Sequence, residues 1–454
     1  MSKDLDLKII NAKIALLSDV VEGEIGIRKG KIVSISKEIR EHSEATIDAK
    51  GRLVLPGAID VHAHIYDPRF KHREDFYHGT LAAAFGGVTT VIVMPLDTHI
   101  DNVEILNHYI EVGEKEAFTD FSIQGGFIKS ENINNVLELA RRGIRAYKMF
   151  TCRPYMATDD VFIKMLKLTK KLGVLVTVHA EDEAILEDGI NEAMRTGRKD
   201  PVIHHLSRSP IAEKVAMEKL LGYVEYAGGK LHLCHITTRY AVDILKYAKT
   251  RGLDVTGEVC IHHLLFTYDD AKKWGPLLKM NPPLRSKEHV DALWKGLING
   301  LIDIVTTDHA PGSKDEKDVG WEDIWKAWGG VAGVETLLPI MFTYGYKKGI
   351  LSLKRLIEVL MYNPAKIFGL PMKGRIAVGV DADLLIIDPE FRKIVKTEDL
   401  HYKNPWTPYE GMELYGWPTT VIIRGVPVIL NGELQVNKGY GKFVKAVTSY
   451  NKAI

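Results

Sequence analysis

The sequence predicts an α/β protein: a closed (β/α)8 (TIM) barrel carrying a small β-sandwich domain built from both chain ends. Three observations carry this. At 454 residues the chain is too long for one small core. Its middle alternates apolar β-branched runs with helix-like stretches, the pattern of a parallel sheet covered by helices. Its two ends share a different texture of short alternating runs broken by turns.

The N-terminal stretch 5–54 reads as half-buried strands (LKIINAKIALL, GEIGIRKGKIVSIS, ATIDAKGRLVL) separated by Gly-Lys and Lys-Gly turns. Residues 374–433 repeat that texture in GRIAVGVDADLLIID and TTVIIRGVPVILNGEL. Each piece alone is thin for a core, so one domain assembled from both is the economical reading. The expected division is 1–55 and 370–440 for the β domain, 56–369 for the barrel, and 441–454 for a peripheral tail or interface segment.

Within the barrel segment eight strands are expected, at 57–62, 88–95, 120–127, 144–150, 174–180, 230–236, 254–260 and 302–308. Eight such units close into a barrel whose active site lies at the C-terminal ends of the strands. The long stretches 181–229 and 261–301 should add helices or loops around that mouth.

Sixty Lys and Arg against fifty-nine Asp and Glu leave a formal charge of +1, which supplies no field to hold nucleic acid or an anionic membrane. A small molecule is the expected partner. Cys152, Cys234 and Cys260 form no CxxC pair, which argues against a disulfide framework and for a reducing compartment. The start lacks a signal-type apolar core and no apolar run reaches bilayer length, so a cytoplasmic location is expected.

His62 and His64 close the first strand in IDVHAHIYD, and their i, i+2 spacing puts both imidazoles on one face. Alone, the pair suits metal binding or an ordinary hydrogen-bonded role equally. Lys148, in IRAYKMFT, sits among apolar neighbours where a bare ammonium is costly to bury; it either snorkels to the rim or reacts with CO2 to give a carbamate able to bridge two cations. His179 ends the fifth strand, His235 the sixth and Asp308 the eighth. Taken singly, each could cap a loop. Taken together, six ligand-type residues fall at the C-terminal ends of strands one, four, five, six and eight.

This constellation resembles the binuclear amidohydrolases, in particular their cyclic amidase branch of hydantoinases and dihydropyrimidinases, allantoinases and dihydroorotases. The resemblance extends to PGAID at 56–60, GGVTTVIVMP at 86–95, HAED at 179–182, PPLR at 282–285, TDHAP at 307–311 and NPAKIFGL at 363–370. It implies two divalent cations, zinc first with Mn, Co or Fe as alternatives. His62, His64, carboxylated Lys148 and Asp308 would hold one, and Lys148, His179 and His235 the other. It further implies a shared hydroxide as nucleophile and Asp308 as both ligand and proton shuttle. A homodimer or homotetramer is the family expectation.

The resemblance also bears on the ring. Dihydroorotases grip their substrate's carboxylate with Arg, Asn and His at positions occupied here by Tyr66, Leu96 and Gly312, although Asn281 in KMNPPLR is dihydroorotase-like. Many D-selective hydantoinases place an oxyanion-binding Tyr five residues after the bridging Lys. Here Arg153 stands there and Tyr155 two residues on, so either can serve the substrate. The segment 320–345 looks like L-selective hydantoinases, while KAWGG and MPLDT echo allantoinases. The expected reaction is therefore opening of a hydantoin or dihydropyrimidine to an N-carbamoyl amino acid, with allantoin second and dihydroorotate third.

Trp325 and Trp328 read as packing groups, His262 and His263 as structural, and His309 as facing away from Asp308. The rival of another class, a non-catalytic scaffold of the same fold, requires missing ligands, and all six positions are filled. A mononuclear deaminase has no need of Lys148.

Overall fold

Alternation in the N-terminal strand Leu5–Ala15 buries Leu5, Leu7, Ile9, Ala12 and Ile14 and leaves Asp6, Asn11 and Lys13 outward, as a sheet with one dry face requires. The computed structural model describes residues 4–66, 69–94, 96 and 98–449. Leu5–Ala15, Val20–Arg28, Lys31–Ser36, Ser43–Asp48 and Leu53–Pro56 join Leu384–Ile387, Pro418–Ile423, Val426–Leu430 and Glu433–Leu434 in one nine-stranded sheet. The two ends meet where Leu53–Pro56 pairs antiparallel with Leu384–Ile387. The sheet folds back on itself: the Ile32 amide donates to Val380 O and the Ala382 amide to Gly30 O, enclosing a core that includes Ile9, Ile25, Ile27, Val54, Leu384 and Ile422.

The middle of the chain forms the barrel. Its strands are β1 (Ala58–Ala63), β2 (Val88–Val93), β3 (Asp120–Ile123, resumed at Gly125–Gly126), β4 (Ala146–Phe150), β5 (Leu175–His179), β6 (Leu231–Leu233), β7 (Val255–Cys260) and β8 (Ile304–Thr306). From β1 to β8, neighbouring strands pair in parallel. The ring closes between β8 and β1, where Ala63 bridges His309 and the His64 amide donates to His309 O at 2.6 Å. Each strand falls within or one residue beyond its expected window, and most are shorter; of the second window, Pro95 lies outside the described residues.

The helices carry their own stop signals. Asp159–Leu172 has Asp159 and Asp160 in its first turn and Lys170 and Lys171 in its last, each sign opposing the helix dipole, and Gly173 ends it in the left-handed region at φ 67°. Val161, Phe162, Met165, Leu166 and Leu172 form its buried face against the barrel.

Lys373 joins the two parts of the molecule. Its buried Nζ lies 2.7 Å from Asp120 Oδ2 at the start of β3 and 2.7 Å from Asp383 Oδ2 beside the sheet, with Asp381 at 3.2 Å. The chain then straps back over the barrel, Val444 donating to Phe121 O and Ser449 to Leu172 O. Residues 450–454 lie outside the described range.

Candidate active site

His62 lies in β1 and His64 immediately follows that strand; Lys148 lies within β4, His179 closes β5, and His235 and Asp308 follow β6 and β8. All six line one cavity of about 310 Å³ at the C-terminal end of the barrel. Two sit on backbone that L-residues rarely adopt: His235 at φ 35° and Asp308 at φ 46°. Such strain persists where the surroundings over-determine a position. Here Asp60 does part of that work, accepting from the Thr306 hydroxyl at 2.5 Å, from the Thr307 hydroxyl, and from the His62 amide at 3.2 Å, so β1 and β8 are fixed to each other.

The outer hydrogen bonds decide which ring nitrogen each histidine offers inward. His62 presents Nδ1 to Glu258 Oε1 at 2.5 Å and His64 donates from Nδ1 to Met94 O at 2.9 Å, so both keep Nε2 for the cavity. His179 gives Nε2 to Glu181 Oε2 at 2.7 Å and keeps Nδ1. Asp308 Oδ1 lies 3.2 Å from His62 Nε2 and 3.0 Å from His64 Nε2. The rings of His62 and His235 are 5.3 Å apart and those of His179 and His235 4.7 Å. Carboxylate or carbonyl partners on the far nitrogen are what orient metal-binding imidazoles.

Lys148 is 1% exposed, and its Nζ has no hydrogen-bond partner among the described residues; His235 Nδ1 has none either. A buried, unpaired ammonium is costly, whereas a carbamate facing cations is not. The donor set fits divalent cations. Close backbone approach is built in on the neighbouring strand: at Gly126, φ 142°, an added Cβ would sit 2.9 Å from Lys148 O and 3.2 Å from its Cβ.

The electrostatics of the site's own residues separate His62 from the other three histidines. Burial opposes an imidazolium at His62, but Asp308 and then Glu258 outweigh it and lift the pKa to about 10. Burial pushes His64, His179 and His235 down, toward the neutral form that ligates cations. Asp308 is held well below the usual carboxylate range, because His62 and His64 overcome the effect of burial.

Of the residues expected to touch substrate, Arg153, Tyr155 and Asn281 all line the cavity. The Tyr155 ring packs on Phe127 at 4.4 Å and Phe150 at 5.2 Å. Arg153 is 66% exposed and pairs with Glu183 at 3.2 Å. Trp328, expected as packing, is also on the wall, with Arg73 3.7 Å over its ring. His309 turns away, its Nε2 3.1 Å from Glu74 Oε2. Cys152 is buried beside the site, and burial lifts its thiol to about 12, so it offers no nucleophile.

Sequence reasoning missed Glu258, Glu181 and Arg208. Glu258 braces His62 with one oxygen and His232 with the other, at 3.1 Å. Arg208 clamps Glu181 through Nε at 3.2 Å and through Nη2, and Glu181 in turn holds His179. Glu181 lies inside the HAED motif, which marked it; Arg208 lies far away in sequence, and only the fold brings it here.

Comparison with known proteins accords with this geometry. The chain is 36% identical over 432 residues to an allantoinase of Rubrobacter xylanophilus, covering 93% of this chain and 94% of the relative. It is 36% identical over 455 residues to a dihydroorotase of Methanosarcina mazei, covering 97% and 98%. The structure of an L-hydantoinase (dihydropyrimidinase) from Arthrobacter aurescens superposes with a TM-score of 0.93 at 32% identity, over 97% of this chain and all of that one. The model of the amidohydrolase family matches residues 53–428, and on fold, site and relatives together the chain belongs to that family.

Proposed function

We propose that this enzyme opens an uncharged cyclic amide, a hydantoin or dihydropyrimidine, to the N-carbamoyl amino acid. The observation that carries the choice of ring is the state of the cavity's two arginines. Arg208 is locked on the buried Glu181, and the exposed Arg153 is turned to Glu183, so each guanidinium already has a carboxylate partner of the chain's own. The rest of the wall is largely apolar, with Leu96, Phe150, Met280 and Trp328. Gly312 has no room for a carboxylate-binding side chain, since a Cβ there would lie 2.5 Å from the Trp328 ring.

In this reading His62, His64, carboxylated Lys148 and Asp308, which all line the cavity, would hold one divalent cation, and Lys148, His179 and His235 would hold a second. The chemistry such a pair supplies when bound is an acidified water and a polarised carbonyl. The chain's own residues do the remainder. Asp308, ionised in this site, would take a proton from the attacking water. As water oxygen bonds to the ring carbonyl carbon and the C–N bond breaks, Asp308 returns that proton to the departing nitrogen. Tyr155 and Asn281 are the polar wall groups placed to hold the ring.

Allantoin is the second reading, favoured by one observation: Trp328, Gly329 and Gly330 of the allantoinase-like KAWGG motif line the cavity. The test is ring opening of hydantoin, dihydrouracil, allantoin and dihydroorotate, side by side, on metal-reconstituted protein. Preference for hydantoin or dihydrouracil is expected. Preference for allantoin would move the assignment to the second reading, and preference for dihydroorotate would overturn the uncharged-ring argument.

A further inference from the structure

Beyond the cavity, three side chains at the end of β7 stand out. The ligand atoms of Cys260, His262 and His263 all lie within 4.8 Å of one another, and all three residues are at most 2% exposed. None of them lines the active-site cavity. Cys260 closes β7, and the two histidines lie in the short helix Ile261–Leu265 that follows, with ring centroids 4.3 Å apart.

Their hydrogen bonding is incomplete in a directed way. His263 Nε2 lies 3.1 Å from Pro282 O and must carry the proton, which leaves the Nδ1 lone pair without a partner among the described residues. His262 has no hydrogen-bond partner on either nitrogen among the described residues. Buried polar groups left unsatisfied point to an ion or an ordered water. An imidazole that donates one N–H to a backbone carbonyl, keeps the other nitrogen unprotonated and clusters with a thiol and a second imidazole has the donor chemistry of a metal ligand.

We propose that Cys260, His262 and His263 form a separate structural site for one borderline-soft divalent cation of the zinc class. Two imidazoles and a thiolate are the donor set such cations favour over magnesium or calcium. Burial keeps the Cys260 thiol protonated in the free protein, so loading forms one sulfur–metal bond and releases one proton to solvent. The site bears on function through His263, which holds Pro282 next to the cavity residue Asn281.

The active-site donors include no thiol, so cobalt distinguishes the two sites. Protein produced with Co2+ in place of zinc should show a near-ultraviolet thiolate-to-cobalt absorption. Cys152→Ser and Cys234→Ser should keep the band; Cys260→Ser should lose it together with one cobalt equivalent per chain. Should Cys260→Ser fail to fold, His262→Gln, which keeps the thiol, must weaken or shift the band. Absence of the band from the parent protein, its survival in Cys260→Ser, an unchanged band in His262→Gln, or its loss with either control would each overturn the site. Absence from the parent would leave ordered water as the occupant.

Discussion

Glu258 does as much for the site as the ligand-type residues, yet nothing about it stands out along the chain. Its two oxygens brace His62 and His232, and a carboxylate behind an imidazole fixes both the tautomer and the ring orientation. Glu258→Gln should keep the fold and weaken cation binding by about 10–100-fold, read by competition with a chelator. Unchanged affinity would remove the bracing role. Asp308 is tested differently: Asp308→Asn leaves the volume unchanged but removes the proton acceptor, so turnover should fall by about 10²–10⁴ with the circular dichroism spectrum intact. Turnover near the parent's would exclude it as the shuttle. The six inward-facing residues could be picked out in the sequence because strand-end positions constrain residue type strongly. Glu258 and Arg208 could not, since their roles depend on partners distant in the chain.

The helix Phe76–Phe85 shows how local signals fix an element beside the site. Asp75 caps it, accepting from the His78 amide at 2.8 Å, and also meets the His78 ring and Lys403. Burial alone would raise its pKa, but the bonds from His78 and Lys403 outweigh that and bring it from 3.8 to about 2. A carboxylate depressed on folding adds stability that is complete above its unfolded pKa and lost as pH falls through the folded one. Thermal stability should therefore decline between pH of about 4 and about 2 partly through this group, and Asp75→Ala should flatten that portion of the profile while costing about 1–2 kcal/mol at neutral pH. A variant with an unchanged acid profile would contradict the assignment. The barrel strands were readable because both faces are buried and their apolar runs stand out. Their exact ends were not: β3 is interrupted at Gln124, whose backbone amide still donates to Val93 O while its side chain donates to Val61 O and accepts from the Thr177 hydroxyl across the barrel interior, contacts that no local pattern announces.

That both chain ends build one sheet was inferred from two thin segments of like texture, and the pairing of Leu53–Pro56 with Leu384–Ile387 is how they do it. Lys373, the buried cation between Asp120 and Asp383, had no signature in the sequence, because its partners come from opposite parts of the molecule. Lys373→Met removes the cation shared by two buried carboxylates, leaving Asp120 with Arg424 and Asp383 with the Arg424 amide, and should destabilise the protein by about 3–5 kcal/mol in denaturant unfolding; a loss below about 1 kcal/mol would mean that this ion pair does not hold the sheet to the barrel. The central claim is that Lys148, buried with no hydrogen-bond partner for its Nζ among the described residues, unites the six residues into one metal-dependent hydrolytic centre. The measurement that tests it most directly is hydantoin ring opening by parent and Lys148→Ala protein, each stripped with a chelator and then resupplied with divalent cation and bicarbonate. The parent should lose turnover on stripping and regain it on resupply, while Lys148→Ala should stay inactive throughout; near-parental turnover by Lys148→Ala would contradict the account.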